Sequence, residues 1–290
     1  MMTPFWSNLS SPPIQQVSET CRHYALIDAA QIERFSRTVK SKANSILGRV
    51  ALFGEVIAPD RYDSTPHLFE LSGQNDYTTI FRQLSRIEAS HGAIACLIST
   101  LELAELAARL KCRLDAKLPD DVDCVNRFFD GRITPHLHAC LNDEQRAEFF
   151  SVAEQWLVVG HDFTWQSLDC HFTAHDHFSG PLVFNNTQEA YLIDHCYPYA
   201  LIEHFERTDA DLLETIQPKH RYQFFQNAIA TAERLGIDRS SDITLFCTLS
   251  LTRGANFHEE SSTWQENLQA VRAGKMTLKE AVTASHVLAT

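Results

Sequence analysis

The sequence predicts an α+β protein: a mixed α/β sheet N-terminal domain over residues 21–183 and an all-helical C-terminal lobe over 184–290, preceded by a flexible tail over 1–20. Three observations predict it. Short apolar runs rich in β-branched residues alternate with helix-patterned stretches up to about residue 180. From Thr187 onward the strand-like alternation gives way to successive amphipathic segments. The opening MMTPFWSNLSSPPIQQ is rich in Ser and Pro and presents no periodic face.

In chain order, HYALIDAA has strand character and QIERFSRTVKS helix character, and RVALFG and HLFELS follow as short apolar strands. Asn75 or Asp76 is placed to cap a helix over DYTTIFRQLSRIEAS, after which GAIACLIS reads as a buried strand. Ser99 stands three residues before Glu102, the spacing of a capping box at the start of a helix over STLELAELAARLKC. CRLDAKL and DCVNRFF read as strands joined by a tight turn at Pro119-Asp120-Asp121. Thr134-Pro135 predicts an N-cap with proline in the first turn, and Asn142 with Gln145 predicts a second capping box opening a helix over DEQRAEFFSVAEQWLV. In the last hundred or so residues, helix patterns recur and Gly236, Gly254 and Gly274 stand where helices should stop.

Composition narrows the function classes. The 290 residues are 44% hydrophobic and 21% charged, the balance of a folded globular chain. A formal charge of -12, with no run of Lys or Arg, opposes binding to a phosphate backbone, so no nucleic-acid partner is expected. No stretch approaches the ~18 apolar residues of a membrane span, and the opening has no basic, apolar leader pattern. Eight cysteines never form a CxxC pair and several lie in apolar runs, which suits small buried hydrophobes in a reducing compartment. The expected location is the cytoplasm.

The densest chemistry lies in CHFTAHDHF, residues 170 to 178. On a strand, His171, His175 and His177 share one face, but at ~3.3 Å per residue His171 and His175 stand ~13 Å apart, too far to share an ion. On a helix, His171 and His175 fall one turn apart, but Phe172 occupies the place of the glutamate base in an HExxH site. His136 and His138, on the helix that Thr134-Pro135 starts, point to different faces. A third ligand from Asp194 or His195 keeps a metal-dependent hydrolase as the alternative function; the leading expectation is no metal and no cofactor. No GxSxG elbow, P-loop or GxGxxG follows a strand, so no enzyme is expected.

The order YALIDAAQ, PHLFELS, HGAIACLIS and NRFFDGRITPHLHACLNDEQRAEFFSVAEQWLV resembles the domain-of-unknown-function family 4123, the adaptor chaperones of bacterial type VI secretion. Arg127, Phe128, Phe129, Asp130, Arg132 and Trp156 match the family pattern, in which a helix ends at the Trp. Gly131 replaces the usual proline, a change expected to keep the turn and loosen it. The resemblance covers roughly residues 23 to 157. It implies a protein that stabilises a cognate effector in the cytoplasm and helps load it on the spike protein VgrG, without cofactor or covalent chemistry. The expected partners are thus the effector and VgrG. Candidate contact residues are Arg127, Phe129, Asp130 and Arg132 at the motif and the ring pairs Phe149, Phe150, Phe224 and Phe225, each of which has a core-packing or ion-pairing alternative.

Overall fold

The structure is a computed structural model that describes residues 9, 11–15, 18–32, 35, 46–54, 65–73, 75–84, 91–259 and 261–287. The chain divides into two compact units, Met1–Ile193 and Asp194–Thr290.

The first unit is built on strands β1 (Arg22–Asp28), β2 (Ile46–Ala51), β3 (Pro66–Leu71), β4 (Ile94–Ser99), β5 (Asp115–Lys117), β6 (Asp123–Val125), β7 (Gln155–Val159), β8 (Trp165–Leu168) and β9 (Leu182–Val183). Six of them form one sheet in the order β2-β3-β1-β4-β7-β8, and every neighbouring pair is antiparallel. Its helices are α1 (Asn75–Leu84), α2 (Leu103–Cys112), α3 (Thr134–Cys140) and α4 (Asp143–Phe149). Because β3 and β4 both run antiparallel to β1 between them, β3-α1-β4 is a parallel crossover split by the first strand.

Strands β3, β4 and β7 are buried along their whole length and β1 along most of it, so the sheet carries apolar side chains on both faces. The two-residue period sorts them into two cores. Tyr24, Leu26, Leu68, Leu97, Trp156 and Val158 face one side, under Leu106 and Leu110 of α2 and Phe149 of α4. Ala25, Ile27, Phe69, Cys96, Leu157 and Val159 face the other, under Tyr77, Ile80 and Phe81 of α1. A second, small sheet has the order β6-β5-β9, with β5 antiparallel to β6 and parallel to β9. Its Ala116 and Leu182 close the edge of the first core.

The second unit holds the rest of α5 (Asn186–Thr208) together with α6 (Ala210–Leu213), α7 (Pro218–Arg234), α8 (Ser240–Arg253), α9 (Ser262–Arg272) and α10 (Leu278–Val287). They enclose a separate core that includes Phe205, Phe225, Phe246, Phe257, Trp264 and Leu278. Gly236, Gly254 and Gly274 all take positive φ, at 80°, 104° and 67°. After α7, Gly236 N–H donates to Glu233 O and Ile237 N–H to Ala232 O, which closes the helix end with the paired bonds that a left-handed residue allows.

The α+β class therefore stands, with several local corrections. Among the described residues the main sheet is wholly antiparallel, and parallel pairing is confined to β5 and β9. The helix expected to run to Val158 stops at Phe149, and QWLVV is β7; its β-branched and aromatic residues suit a strand buried on both faces. Ser99 is not a cap: its hydroxyl donates to Val152 O and accepts from Leu101 N–H, while α2 begins after Glu102 without a side-chain cap. Thr134 lies inside α3, where its hydroxyl binds Phe128 O and Asp130 O. The Asn142–Gln145 capping box forms in both directions, at 2.8 and 3.2 Å. The helix expected over 31–41 lies largely outside the described residues. Within the segment read as a flexible tail, Gln15 exchanges two hydrogen bonds with Gln155 of β7, and Leu9 and Ile14 pack on the second core.

Candidate functional site

The motif Arg127–Arg132 folds into a tight turn between β6 and α3, held from within by Asp130. The Asp130 carboxylate is wholly buried and accepts from Arg132 N–H and Nε at 3.0 Å each, from the Arg132 guanidinium end at 2.8 Å, and from Arg127 at 3.1 Å. Charge-assisted bonds of this kind carry the desolvation of an interior carboxylate. Arg127, with its side chain 45% exposed, also reaches Asp28 at the end of β1 at 3.2 Å. Asp28 is buried as well, and that burial, with the nearby Asp130 charge, pushes its carboxyl above the usual range against the pull of Gln31 and Arg127.

Gly131 does more than keep a turn. Its N–H donates to Gly92 O at 2.8 Å, a bond that proline could not make, and its backbone conformation is not left-handed. The expected loosening is replaced by a tether to the segment before β4. Gly92 is equally constrained, since a Cβ there would lie 2.5 Å from Arg132 Cγ and 2.9 Å from Arg132 N.

The histidine-rich run is neither strand nor helix. After β8 the chain runs irregularly through residues 169–181, held to α2 by two arginines. Arg109 donates to Thr173 O at 3.0 Å and Ala174 O at 2.6 Å. Arg113, with a side chain 0% exposed, clamps both oxygens of Asp176 at 2.8 and 2.6 Å. It also donates to Phe149 O, Arg109 O and Glu148 O, and its guanidinium lies 4.6 Å from the centre of the Phe178 ring. Burial alone would raise the Asp176 carboxyl; the Arg113 contacts outweigh it and hold the group below the usual range. The aspartate of the run is thus a structural anchor. His171, His175 and His177 are exposed, and among the described residues no three His, Cys, Asp or Glu side chains gather as a metal site would need. His138 instead bonds Asp169 O at 2.8 Å through Nε2.

The ring candidates fall into the cores. Phe149 and Phe150 are buried against Phe128, Trp156 and one another, and Phe129 is buried beside Phe128. Phe225 is buried against Phe205; only Phe224 stays half-buried. Phe129, Phe149, Phe150 and Phe225, and likewise Asp130, therefore present no surface to a partner in the folded chain. Arg127 alone of the motif keeps a substantial exposed face. Arg109 and Arg113 escaped the reading of the sequence, although a signal was there: Leu106, Arg109, Leu110 and Arg113 share one helix face at spacings of three and four, which puts arginines on the apolar side.

These features define a two-unit α+β protein whose first unit, an antiparallel sheet between two cores, is pinned by buried arginine–carboxylate contacts. Residues 23–148 match the family model described as Domain of unknown function (DUF4123). The match runs from β1 to α4 and takes in Asp28, Gly92, Arg113, Asp130 and Arg132. No curated protein and no solved structure matches the chain. No described helix is long and apolar enough to cross a membrane, and no disulfide joins the eight cysteines.

Proposed function

We propose that this chain is a cytoplasmic adaptor chaperone that binds one cognate type VI secretion effector, keeps it stable and helps deliver it to the VgrG spike. The observation that carries the reading is the DUF4123 match over residues 23–148. The use made of the reactive side chains there supports it. Arg109, Arg113, Asp130 and, beyond the matched residues, Asp176 are taken up by hydrogen bonds that hold residues 169–181 to α2 and close the Arg127–Arg132 turn, so the chemistry of the unit serves rigidity. On this reading the protein acts by reversible contact and alters no covalent bond of its client.

Co-expression tests it. The effector encoded beside this chain should be insoluble or degraded when expressed alone, and recovered as a complex when this chain is present. An effector that is soluble, stable and secreted in its absence overturns the proposal.

A further inference from the structure

The small sheet has two edges, and they differ. On the β9 side, Gln145 Nε2 donates to Val183 O at 3.0 Å and so closes part of the edge. On the β6 side, Leu118 N–H donates to Val122 O and Asn126 N–H to Leu114 O, at 3.0 and 2.7 Å. In an antiparallel pair the bonded positions alternate, so Ala116 and Cys124 form the bonded pair between them. The backbone N–H and C=O groups of Asp123 and Val125 then point away from β5, along the open edge.

The side chains beside that edge are unusual for a strand rim. Val122 and Val125 are 53% and 54% exposed, two of the few large apolar residues so exposed among those described. Between Asp115 and Val125 the chain carries four aspartates, Asp115, Asp120, Asp121 and Asp123, against one cation, Lys117, which is already within 2.6 Å of Asp121 and 3.8 Å of Asp123. An edge strand can be guarded by charge. Here the guard has a single sign, which repels acidic strands and attracts basic ones. A second copy of the same edge would set these aspartates against themselves.

We infer that β6 is a docking edge, which an extended segment of a partner polypeptide joins as an added strand, apolar side chains beside Val122 and Val125 and Lys or Arg beside the aspartates. This rests on the chaperone reading, since it names the client segment that such a protein would grip.

The probe is a synthetic peptide of about ten residues alternating valine and lysine, titrated against the full chain by fluorescence anisotropy. A peptide of equal charge interrupted by prolines, and an alternating valine–glutamate peptide, serve as comparisons. The first should bind and the other two should not. Val125→Pro blocks an outward N–H without removing a bond to β5 and should weaken binding by about tenfold or more. Val125→Lys, which keeps the backbone, should also weaken it; Val183→Lys should not. The inference falls if the first peptide does not bind, if the proline-interrupted peptide binds equally well, if Val125→Pro and Val125→Lys both bind as the parent does, or if sedimentation reveals a dimer that Val125→Pro dissolves. The chaperone reading is tested separately. A client still recovered at parental yield with Val125→Pro and Val125→Lys removes the docking edge and leaves that reading intact; a client that needs no partner at all removes the reading.

Discussion

Replacing Asp176 with alanine strips the counter-charge from Arg113, whose side chain is 0% exposed. Breaking a buried ion pair from one side costs about 3–5 kcal/mol, because the remaining charge is left in the interior. Two features reduce that figure here. Asp176 is itself 18% exposed, and Arg113 keeps the carbonyls of Phe149, Arg109 and Glu148 and the Phe178 ring. A cost of about 2–3 kcal/mol follows, or about 5–10 °C in the melting temperature of a unit of this size. Differential scanning calorimetry at pH 7 measures it. The pair holds the Asp176 pKa below its unfolded value, so its stabilisation is complete above the ordinary aspartate range and is lost as pH falls through the lower folded value. The difference between parent and variant should stay level from pH 7 down to about pH 5 and shrink below about pH 4. Chymotrypsin should also cut at Phe172 and Phe178 sooner in the variant, since the loop has lost its anchor. A loss of less than about 2 °C, with unchanged proteolysis, would refute the view that this contact pins the loop.

Asp28 should behave in the opposite sense. Its folded pKa is raised, chiefly by burial, so it works against stability as pH rises above the ordinary aspartate range; Asp28→Asn should flatten that slope and change stability at pH 7 by less than about 1 kcal/mol, as urea titration across pH would register. Gly92→Ala should cost about 1–3 kcal/mol, because the new methyl meets the Arg132 backbone, whereas Gly131→Ala, whose nearest neighbour lies 3.2 Å away at Gly92 O, should cost less than about 1 kcal/mol. Phe149→Ala should cost about 3–5 kcal/mol and the half-buried Phe224→Ala less than about 2 kcal/mol in the same denaturant assay; equal effects would contradict the assignment of Phe149 to the core. Changing His171, His175 and His177 together to alanine should move the calorimetric melting temperature by no more than about 2 °C, as expected of exposed side chains.

Features encoded by neighbours in sequence were legible before the structure. The Asn142–Gln145 box and the positive φ at Gly236, Gly254 and Gly274 need only a few residues each, and the turn after Pro119 brings Asp121 to φ 59° between β5 and β6. Local patterns misled where tertiary context competed. Ser99 and Glu102 satisfy the spacing of a capping box, but burial at the end of β4 gives the Ser99 hydroxyl another partner. The QWLVV stretch follows a helix without a breaker and is taken up by the sheet. The clamp between Arg113 and Asp176 spans 63 positions, and no local pattern announces a pair so distant. In the candidate site, the sequence motif located the turn at Arg127–Arg132, yet exposure, which decides what can touch a partner, depended on packing; it moved the emphasis from the phenylalanines to an edge near Val125.

The first strand of the main sheet sits in its middle, and that arrangement has a price in time. As the polypeptide leaves the ribosome, residues 22–28 emerge before the other strands of the sheet and cannot be flanked until residues 66–71 and 94–99 have also been made, and the sheet is unfinished until residue 168. Until residues 66–71 have been made, a strand apolar on both faces has two open sides, and until residues 94–99 follow it keeps one. Pairings between such distant stretches slow folding, so nascent chains halted before β4 should be the ones that aggregate or recruit cellular helpers.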